Sequence, residues 1–567
     1  MNEDHSASRG TEAHLPDIRQ ALDWRAWEDG LEEARGRQLP MLCLAEAPWV
    51  NSAQRLALVL GRDEALRRCI RASFMPVLLD PWERPDLAAR LRLASVALTG
   101  TAGPPLLALL THEGLPFLSY PCMWPEGREP YPSLLSLLRS VSESYGERRD
   151  ALALEARALQ AGASGGSAFT SFQGFWEGAK GELDGRHGGL RELPKHPNVP
   201  LLWLLLGAAE RGFAPARDHL LKTLEGMTKG GLLDQLGGSF HRCARDARWV
   251  VPHFEKPVPV NAGLAAVSAR AATLFDRPDF AEVAEGAARF ALVGLENEVI
   301  ALASDTRYYT WTSEEVMSSL EPALVQVLGL HFHLTPHPSP QVLYRALEPE
   351  AMAAQGLEPE LARARLEAGK AQLGLIRAQR RSPELVTAQA LSWQAESLRW
   401  LLEAAGCGLE FPHEALFRLL EALVARPFDA FSGYGRTAGE GWREEQASVC
   451  LACLGAHRLT GASGHPGEEH LEAARRAADA VLTSYLDART GTLSDRPGSP
   501  VETQDVVDHE LSSAVGMTLG ALVALARTEE GGRYLEAARA VARRYEGTAK
   551  LAGARASAFW RARLDLT

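Results

Sequence analysis

A change of hydrophobic periodicity near residue 160 constrains the fold of this 567-residue chain more than any other feature. Before that point, short apolar runs of strand length alternate with helical segments. From residue 197 onward, nearly every segment repeats its apolar residues at helical spacing. Alternating strands and helices are typical of an α/β unit, whereas successive helices with short links are typical of an all-α unit. The sequence therefore predicts two domains of different class.

The first domain is predicted to hold a small sheet with helices around it. Its strands are predicted from apolar runs at 39–45, 74–80, 106–110 and 115–120, the last two forming a hairpin. Its helices are predicted at 17–37, 52–71 and 87–97.

A stretch of Gly, Ala and Ser separates the two halves and has the composition of a linker. We therefore place the first domain at 1–160, the linker at 161–175 and the second domain at 176–567. The predicted helices of the second domain are 199–211, 215–229, 259–275, 278–293, 384–405, 413–425, 441–459, 467–485, 509–527 and 531–546. Because no repeat period of 34 or 40 residues emerges, a closed toroid of helical hairpins is favoured over a solenoid.

Charge and apolar content exclude several partners. The formal net charge of -12 gives no general attraction to nucleic acid or to anionic lipid. The longest apolar stretch, 201–209, is far shorter than a membrane-spanning helix requires, so no such helix is expected. The acidic start of the chain lacks the pattern of a secretory signal, and we expect a cytoplasmic protein. The oligomeric state is left open.

Cysteine and histidine spacing predicts neither a metal site nor a cofactor. The seven cysteines form no disulfide framework, and the C-x-x-C of Cys450 and Cys453 lies in an apolar helical pattern, which predicts core thiols. The histidine cluster of His331, His333 and His337 lies among prolines without a neighbouring Cys or carboxylate ligand.

Two segments are too particular for composition to explain. They read GGLLDQLGGSFHR at 230–242 and DARWVVPHFEK at 246–256. Together with DPWERPD at 80–86 and YYTWTSEE at 308–315, they resemble the spermatogenesis-associated protein 20 family. The resemblance covers residues 15 to 315 and weakens beyond them. It implies a thioredoxin-like α/β domain followed by an (α/α)6 toroid of the six-hairpin class, the fold of certain glycosidases and sugar epimerases.

The sequence departs from that family where the redox chemistry would lie. The family's Cys-His-Trp-Cys-His motif aligns with Ala47, Trp49 and Val50, so both sulfurs are missing. Dithiol exchange needs one thiolate to attack and a second thiol to resolve the mixed disulfide. A thioredoxin-type activity based on Cys43 or Cys122 would instead need an exposed thiol of low pKa.

The second domain keeps residues that sugar chemistry would use, although its acidic loop is shortened to 301–305. Two ring nitrogens serve an epimerase and two carboxyl groups serve a glycosidase, so the candidate catalytic residues are His241, His253 and Glu255. The candidate ligand-binding residues are Asp234, Gln235, Trp249, Lys256, Asn261 and Trp311.

Each of these residues also has an architectural interpretation. Asp234 and Gln235 precede two glycines, as a tight loop requires. The polar residues His253, Glu255 and Lys256 lie in an apolar frame, where an internal ion pair would hold a loop. Large aromatic residues such as Trp249 are common in helical cores.

Two functions follow. The first is a degenerate, non-redox member that binds a carbohydrate-like ligand or a protein partner in or near the toroid cleft. The alternative is an active glycoside hydrolase or sugar epimerase. Two titratable groups facing one solvent-reachable pocket would favour the enzyme, whereas side chains held in internal pairs would favour the degenerate member.

Overall fold

The computed structural model describes residues 18–45, 51–81, 83–100, 106–121, 125–127, 132–160, 171–334, 337, 339–388, 390–410, 412–435, 441–462, 467–528 and 532–566. The chain forms two compact units. The first comprises residues 1–168 with 503–509 and 545–552, and the second comprises 169–502, 510–544 and 553–567. The sequence prediction assigned both late segments to the second domain. Within the first unit, Asp505 of the segment 503–509 lies 3.5 Å from Arg92. This buried ion pair links that late segment to the rest of the unit.

The first unit is built on a four-stranded sheet of order β2-β1-β3-β4. The strands are β1 Met41–Ala45, β2 Met75–Leu79, β3 Leu106–Leu110 and β4 Pro116–Pro121. β1 pairs in parallel with β2 and antiparallel with β3, while β3 and β4 form a hairpin. All four predicted strands are confirmed to within two residues. A parallel pair needs a crossover connection, which the helices between β1 and β2 provide.

Six helices accompany the sheet: α1 Ile18–Ala21, α2 Trp27–Arg37, α3 Asn51–Arg62, α4 Glu64–Ser73, α5 Pro85–Thr99 and α6 Leu134–Gln160. Two predicted helices are each interrupted in the structure. The one at 52–71 breaks at Asp63, whose carboxylate accepts the Leu66 amide and caps α4. The one at 17–37 breaks at Arg25, which forms a parallel bridge with Val77 of β2.

Helices dominate the rest of the chain. They are α7 Phe172–Ala179, α8 Val199–Glu210, α9 Ala214–Lys229, α10 Val258–Phe275, α11 Pro278–Glu296, α12 Thr306–Tyr309, α13 Ser313–Ser319, α14 Pro322–His331, α15 Pro359–Ala378, α16 Leu391–Gly406, α17 His413–Val424, α18 Arg443–Ala462, α19 Glu468–Ala480, α20 Ala514–Leu525, α21 Gly532–Ala552 and α22 Ser557–Asp565. Short 3-10 segments lie at Pro349–Gln355 and Gly553–Ala556, and a π-helical turn at Val481–Tyr485 follows α19.

Six of these helices close into a ring. In chain order, α8, α10, α16, α18, α20 and α22 each contact the next, and α22 contacts α8. Each of α9, α11, α17 and α19 follows a ring helix along the chain and packs against it. The predicted (α/α)6 toroid is confirmed by this closure.

One ring helix corrects the expectation on membrane spans. By length and composition, α10 is apolar enough to cross a membrane, but 72% of that span is buried inside the protein. The inner position of α10 accounts for its composition, because a helix covered on most sides carries apolar residues all round.

Short strands lie between the helices. They are paired as Cys243–Ala244 with Pro252–His253, Lys256–Pro257 and Leu385–Thr387 on either side of Val299–Leu302, Thr310–Trp311 with Gln341–Val342, Phe428–Asp429 with Gly433–Tyr434, and Leu486–Asp487 with Thr492–Leu493. The helix predicted at 384–405 therefore begins only at Leu391, because Leu385–Thr387 is a strand. Two of these pairings, that of Cys243–Ala244 and that of Lys256–Pro257, hold the connection between α9 and α10, which contains both signature segments.

Candidate functional site

The connection from α9 to α10 begins with a tight turn at Asp234. The backbone amides of Gly237 and Gly238 donate to the Asp234 carbonyl, at 3.2 and 2.9 Å. Gly238 has a φ of 69°, a conformation that a residue with a Cβ rarely adopts. The Asp234 carboxylate accepts the Leu236 amide at 3.1 Å. The turn directs that carboxylate into the protein, where it is 8% exposed.

We call Asp234, Ser239, Lys256 and Arg377 the buried cluster. One Asp234 oxygen lies 2.7 Å from Lys256 Nζ and the other lies 2.6 Å from Arg377 Nη1. Lys256 also donates to Ser239 Oγ at 2.9 Å, and its ammonium stands 4.5 Å from the centre of the Tyr309 ring. One carboxylate is thus shared as the counter-ion of two buried cations.

Electrostatics fixes the charge of this cluster. Burial alone would raise the pKa of Asp234, but Lys256 and Arg377 outweigh it and hold that pKa well below its ordinary value. Burial lowers the pKa of Lys256, and the adjacent carboxylate opposes that shift. Asp234 is therefore ionised at neutral pH and is not a proton donor.

His241 packs against the cluster through aromatic contacts. Its ring lies edge-on to Tyr309 and Phe254, with centroids 4.6 and 5.3 Å away. Burial, reinforced by the positive charge of Lys256, lowers its pKa to about 3. His241 is thus a neutral ring in a closed environment.

His253 and Glu255 belong to a different set of contacts. Glu255 is fully buried, with one carboxylate oxygen 3.6 Å from Arg242 Nε. The same guanidinium lies 3.9 Å from a carboxylate oxygen of Glu510. Burial lowers the pKa of His253 to about 2, and Arg242 adds to that shift. The three candidate catalytic residues are therefore divided between the buried cluster and the surroundings of Arg242.

The side-chain amides of Gln235 and Asn261 form hydrogen bonds with backbone groups. Gln235 Nε2 donates to the carbonyl oxygens of Thr228 and Gly230, at 3.0 and 2.8 Å. Asn261, in the first turn of α10, holds both polar backbone groups of Phe240, accepting from its amide at 2.6 Å and donating to its carbonyl at 2.9 Å. These side chains fix the ends of the connection to its neighbouring helices.

The two candidate tryptophans lie in the core. Trp249 is 0% exposed, and its indole nitrogen donates to the His187 carbonyl at 2.9 Å. Trp311 is 1% exposed, with the Arg380 guanidinium stacked 3.9 Å from its ring centre. Both rings pack within the protein, and their low exposure disfavours a role as stacking platforms.

A surface cleft that sequence reasoning missed lies next to this core. We call it the basic cleft; its volume is about 290 Å³. It is lined by Arg186, His187, Lys222, Glu225, Gly226, Lys229, Gly230, Arg248, Trp249, Val250, Tyr344 and Arg345. The sequence signal available for it was a pair of Asp-x-Arg turns, at 184–186 and 246–248.

The thiols of the described residues are protonated groups. Burial raises the pKa of Cys43, in β1, to about 12, and it does the same for Cys243 and Cys453. The degenerate redox positions Ala47, Trp49 and Val50 lie outside the described residues, as does Cys122. Within the part of the chain that the structure describes, no group of three or more His, Cys, Asp or Glu side chains is arranged to hold a metal ion.

Comparison with known proteins confirms the resemblance drawn from the motifs. Residues 11–162 match the family model Thioredox_DsbH, described as a protein of unknown function, DUF255. The chain is 25% identical to human spermatogenesis-associated protein 20 over 433 residues, which are 66% of this chain and 54% of that protein. It is 23% identical to the Mus musculus protein of that name over 549 residues, 83% of this chain and 68% of the relative. The chain thus spans about half the length of its human relative.

Two solved structures resemble the chain more distantly. The GH76 α-mannanase of Bacteroides thetaiotaomicron is 11% identical with a TM-score of 0.38, covering 69% of this chain and 95% of its own. The cellobiose 2-epimerase of Spirochaeta thermophila is 14% identical with a TM-score of 0.40, covering 70% of this chain and 94% of its own.

Proposed function

We propose that this chain is a binding protein that has lost both the dithiol and the sugar-processing chemistry of its fold. It binds a carbohydrate-like ligand or a protein partner in or near the toroid cleft. The observation that carries the proposal is the internal pairing of the candidate carboxylates, Asp234 with Lys256 and Arg377, and Glu255 with Arg242.

Glycoside hydrolysis needs two carboxyl groups beside one sugar, one protonated and one ionised. Asp234 has a lowered pKa between two cations, and Glu255 is fully buried against an arginine. Neither arrangement favours a proton donor that reaches solvent.

Epimerisation needs two bases poised near the working pH. His241 and His253 have pKa values of about 3 and 2, because burial disfavours their charged forms. A ring of such low basicity is a weak general base at neutral pH. This supports binding over turnover in the second unit.

Redox chemistry is disfavoured in the first unit on two grounds. The aligned motif positions hold Ala47 and Val50, which carry no sulfur. The attacking species in disulfide exchange is the thiolate, and burial holds the pKa of Cys43 near 12, so its thiolate is scarce at neutral pH.

The cytoplasmic location expected from the sequence stays a prediction.

The test combines a binding screen with turnover assays on the full chain. We expect a neutral mono- or oligosaccharide, or a captured protein, to raise the melting temperature, because a ligand that binds only the folded state stabilises it. We expect no release of aryl alcohol from aryl glycosides and no epimer in proton NMR.

Matched variants decide the alternative. Sugar turnover that is lost in Glu255→Gln but kept in Glu314→Gln, an exposed carboxylate on α13, would establish the active enzyme and end this proposal. If neither variant changes a ligand-induced shift and no turnover occurs, the binding function stands.

A further inference from the structure

The basic cleft concentrates positive charge on a protein whose net charge is -12. Five of its lining side chains are cationic and a single one, Glu225, is anionic. Glu225 is already held by Arg277, whose Nη1 lies 2.8 Å from its carboxylate. The lining of the cleft therefore carries an excess of positive charge, and such charge attracts anionic ligands.

Two nearby carboxylates, Asp184 and Asp246, are not part of the cleft lining. Asp184 binds Lys195 Nζ at 2.5 Å and accepts the backbone amide of Arg186 at 2.9 Å. Asp246 accepts the backbone amide of Arg248 at 2.8 Å. In both turns the carboxylate fixes the backbone that presents an arginine two residues later. Neither carboxylate forms an ion pair with the arginine that it positions, among the contacts of the described residues.

Three cations of the cleft have no competing partner. Arg186, Lys229 and Arg248 are exposed, and their side chains make no hydrogen bond or ion pair with any residue that the structure describes. Arg345 is oriented by its Nε, which donates to Gln235 Oε1 at 3.0 Å. An open set of guanidinium groups suits a tetrahedral anion, which arginine binds through paired hydrogen bonds.

The floor of the cleft is rigid. Trp249 is buried and anchored to the His187 carbonyl, and the Cβ that any other residue would add at Gly226 would lie 2.8 Å from the Trp249 ring. The volume of about 290 Å³ lies near the lower end of small-molecule sites, about the size for a monosaccharide with one phosphate.

We propose that the basic cleft binds a small phosphorylated molecule, with its phosphate held by Arg186, Arg248 and Lys229. The lining of this site includes none of the candidate catalytic residues, and it shares Trp249 with the candidate ligand-binding residues. Its ligand class is set by charge and size, since a neutral sugar would leave the cations unmatched.

Isothermal titration calorimetry on the full chain tests the site with inorganic phosphate, pyrophosphate and glucose 6-phosphate, and with glucose as the neutral comparator. We expect glucose 6-phosphate to bind at least about tenfold more tightly than glucose, and its affinity to fall as sodium chloride is raised. We expect the double variant Arg186→Gln/Arg248→Gln to weaken that binding by about tenfold or more.

The matched control is Arg418→Gln, which removes an exposed arginine on α17 and should leave binding unchanged. Failure of all three phosphate compounds to bind would overturn this inference, as would binding that the double variant does not weaken. Glucose binding that ignores the arginines would overturn it too, while leaving the proposed toroid site in place.

Discussion

The buried cluster and the basic cleft are neighbours, because Gln235, the residue after Asp234, accepts a hydrogen bond from Arg345 of the cleft, yet the two regions differ in how their charges are paired. In the buried cluster, two cations share one carboxylate, and all three side chains are largely shielded from water. In the cleft, four of the five lining cations are exposed, and the one lining carboxylate forms its ion pair with Arg277. The polar residues of the signature segments therefore hold the fold together, whereas the surface suited to a ligand consists of basic residues that no sequence motif marks.

Acidification is expected to have the largest effect on the buried side of this comparison. Burial lowers the pKa of four histidines of the second unit, to about 4 for His196 and His219, about 3 for His241 and about 2 for His253. Unfolded rings take up protons below about pH 6.5, whereas these folded rings stay neutral. Their stabilising contribution is therefore complete above that pH and is lost as the pH falls through the range down to the folded pKa values.

Urea unfolding followed by circular dichroism measures this loss. Each ring contributes roughly 1.4 kcal/mol per pH unit, so the free energy of unfolding should fall by roughly 5 kcal/mol between pH 7.5 and about pH 5.5. His253→Asn should reduce that slope by one proton. A free energy that is flat across this range would contradict the burial of these rings.

Removing the shared carboxylate is the next largest effect. Asp234→Asn leaves Lys256 and Arg377 buried without a counter-charge, and we expect a loss of about 3–5 kcal/mol in the free energy of unfolding. The control is Asp218→Asn, an exposed carboxylate on α9, for which we expect a change within about 0.5 kcal/mol. Equal stability of the two variants would mean that the cluster does not hold the fold.

Trp249 is a buried residue that also lines the cleft, so its substitution shows how far the cleft depends on the core. Trp249→Phe loses the hydrogen bond to the His187 carbonyl and part of the ring volume. We expect a loss of about 2 kcal/mol in thermal or urea unfolding. A change below about 0.5 kcal/mol in the free energy of unfolding would show that the indole and its hydrogen bond contribute little to stability.

The smallest effect is expected on the open side of the comparison. Arg248→Gln removes a side chain that has no partner among the described residues, so the free energy of unfolding should change by less than about 0.5 kcal/mol. A larger loss in urea unfolding would assign this arginine a structural role.

Hydrophobic periodicity was enough to predict much of the ring. The helices predicted at 199–211 and 215–229 match α8 and α9 to within one residue. The closing helix α22 was not predicted, because SAFWRARLD is short and alternates apolar with charged residues. Its burial arises from closure of the ring, which no local pattern records.

The candidate site was predictable only in part. Asp234 stood out beside the glycines of its loop and Lys256 stood out as a polar residue in an apolar frame. Their third partner, Arg377, lies far along the chain in α15, and only tertiary structure brings it there. The basic cleft escaped prediction for the same reason, since its cations come from positions between 186 and 345. Spacing in sequence reveals contacts within one element, whereas both regions are assembled from several.

A double-mutant cycle on Asp234→Asn and Lys256→Met tests the central claim most directly, that the motif is a structural brace. Four chains, the wild type, each single variant and the double variant, are unfolded in urea under the same conditions. If the pair braces the fold, the lysine substitution should cost much less in the Asp234→Asn background, with a coupling of about 2 kcal/mol or more. Additive losses within about 0.5 kcal/mol would contradict the claim and return these residues to the candidates for chemistry.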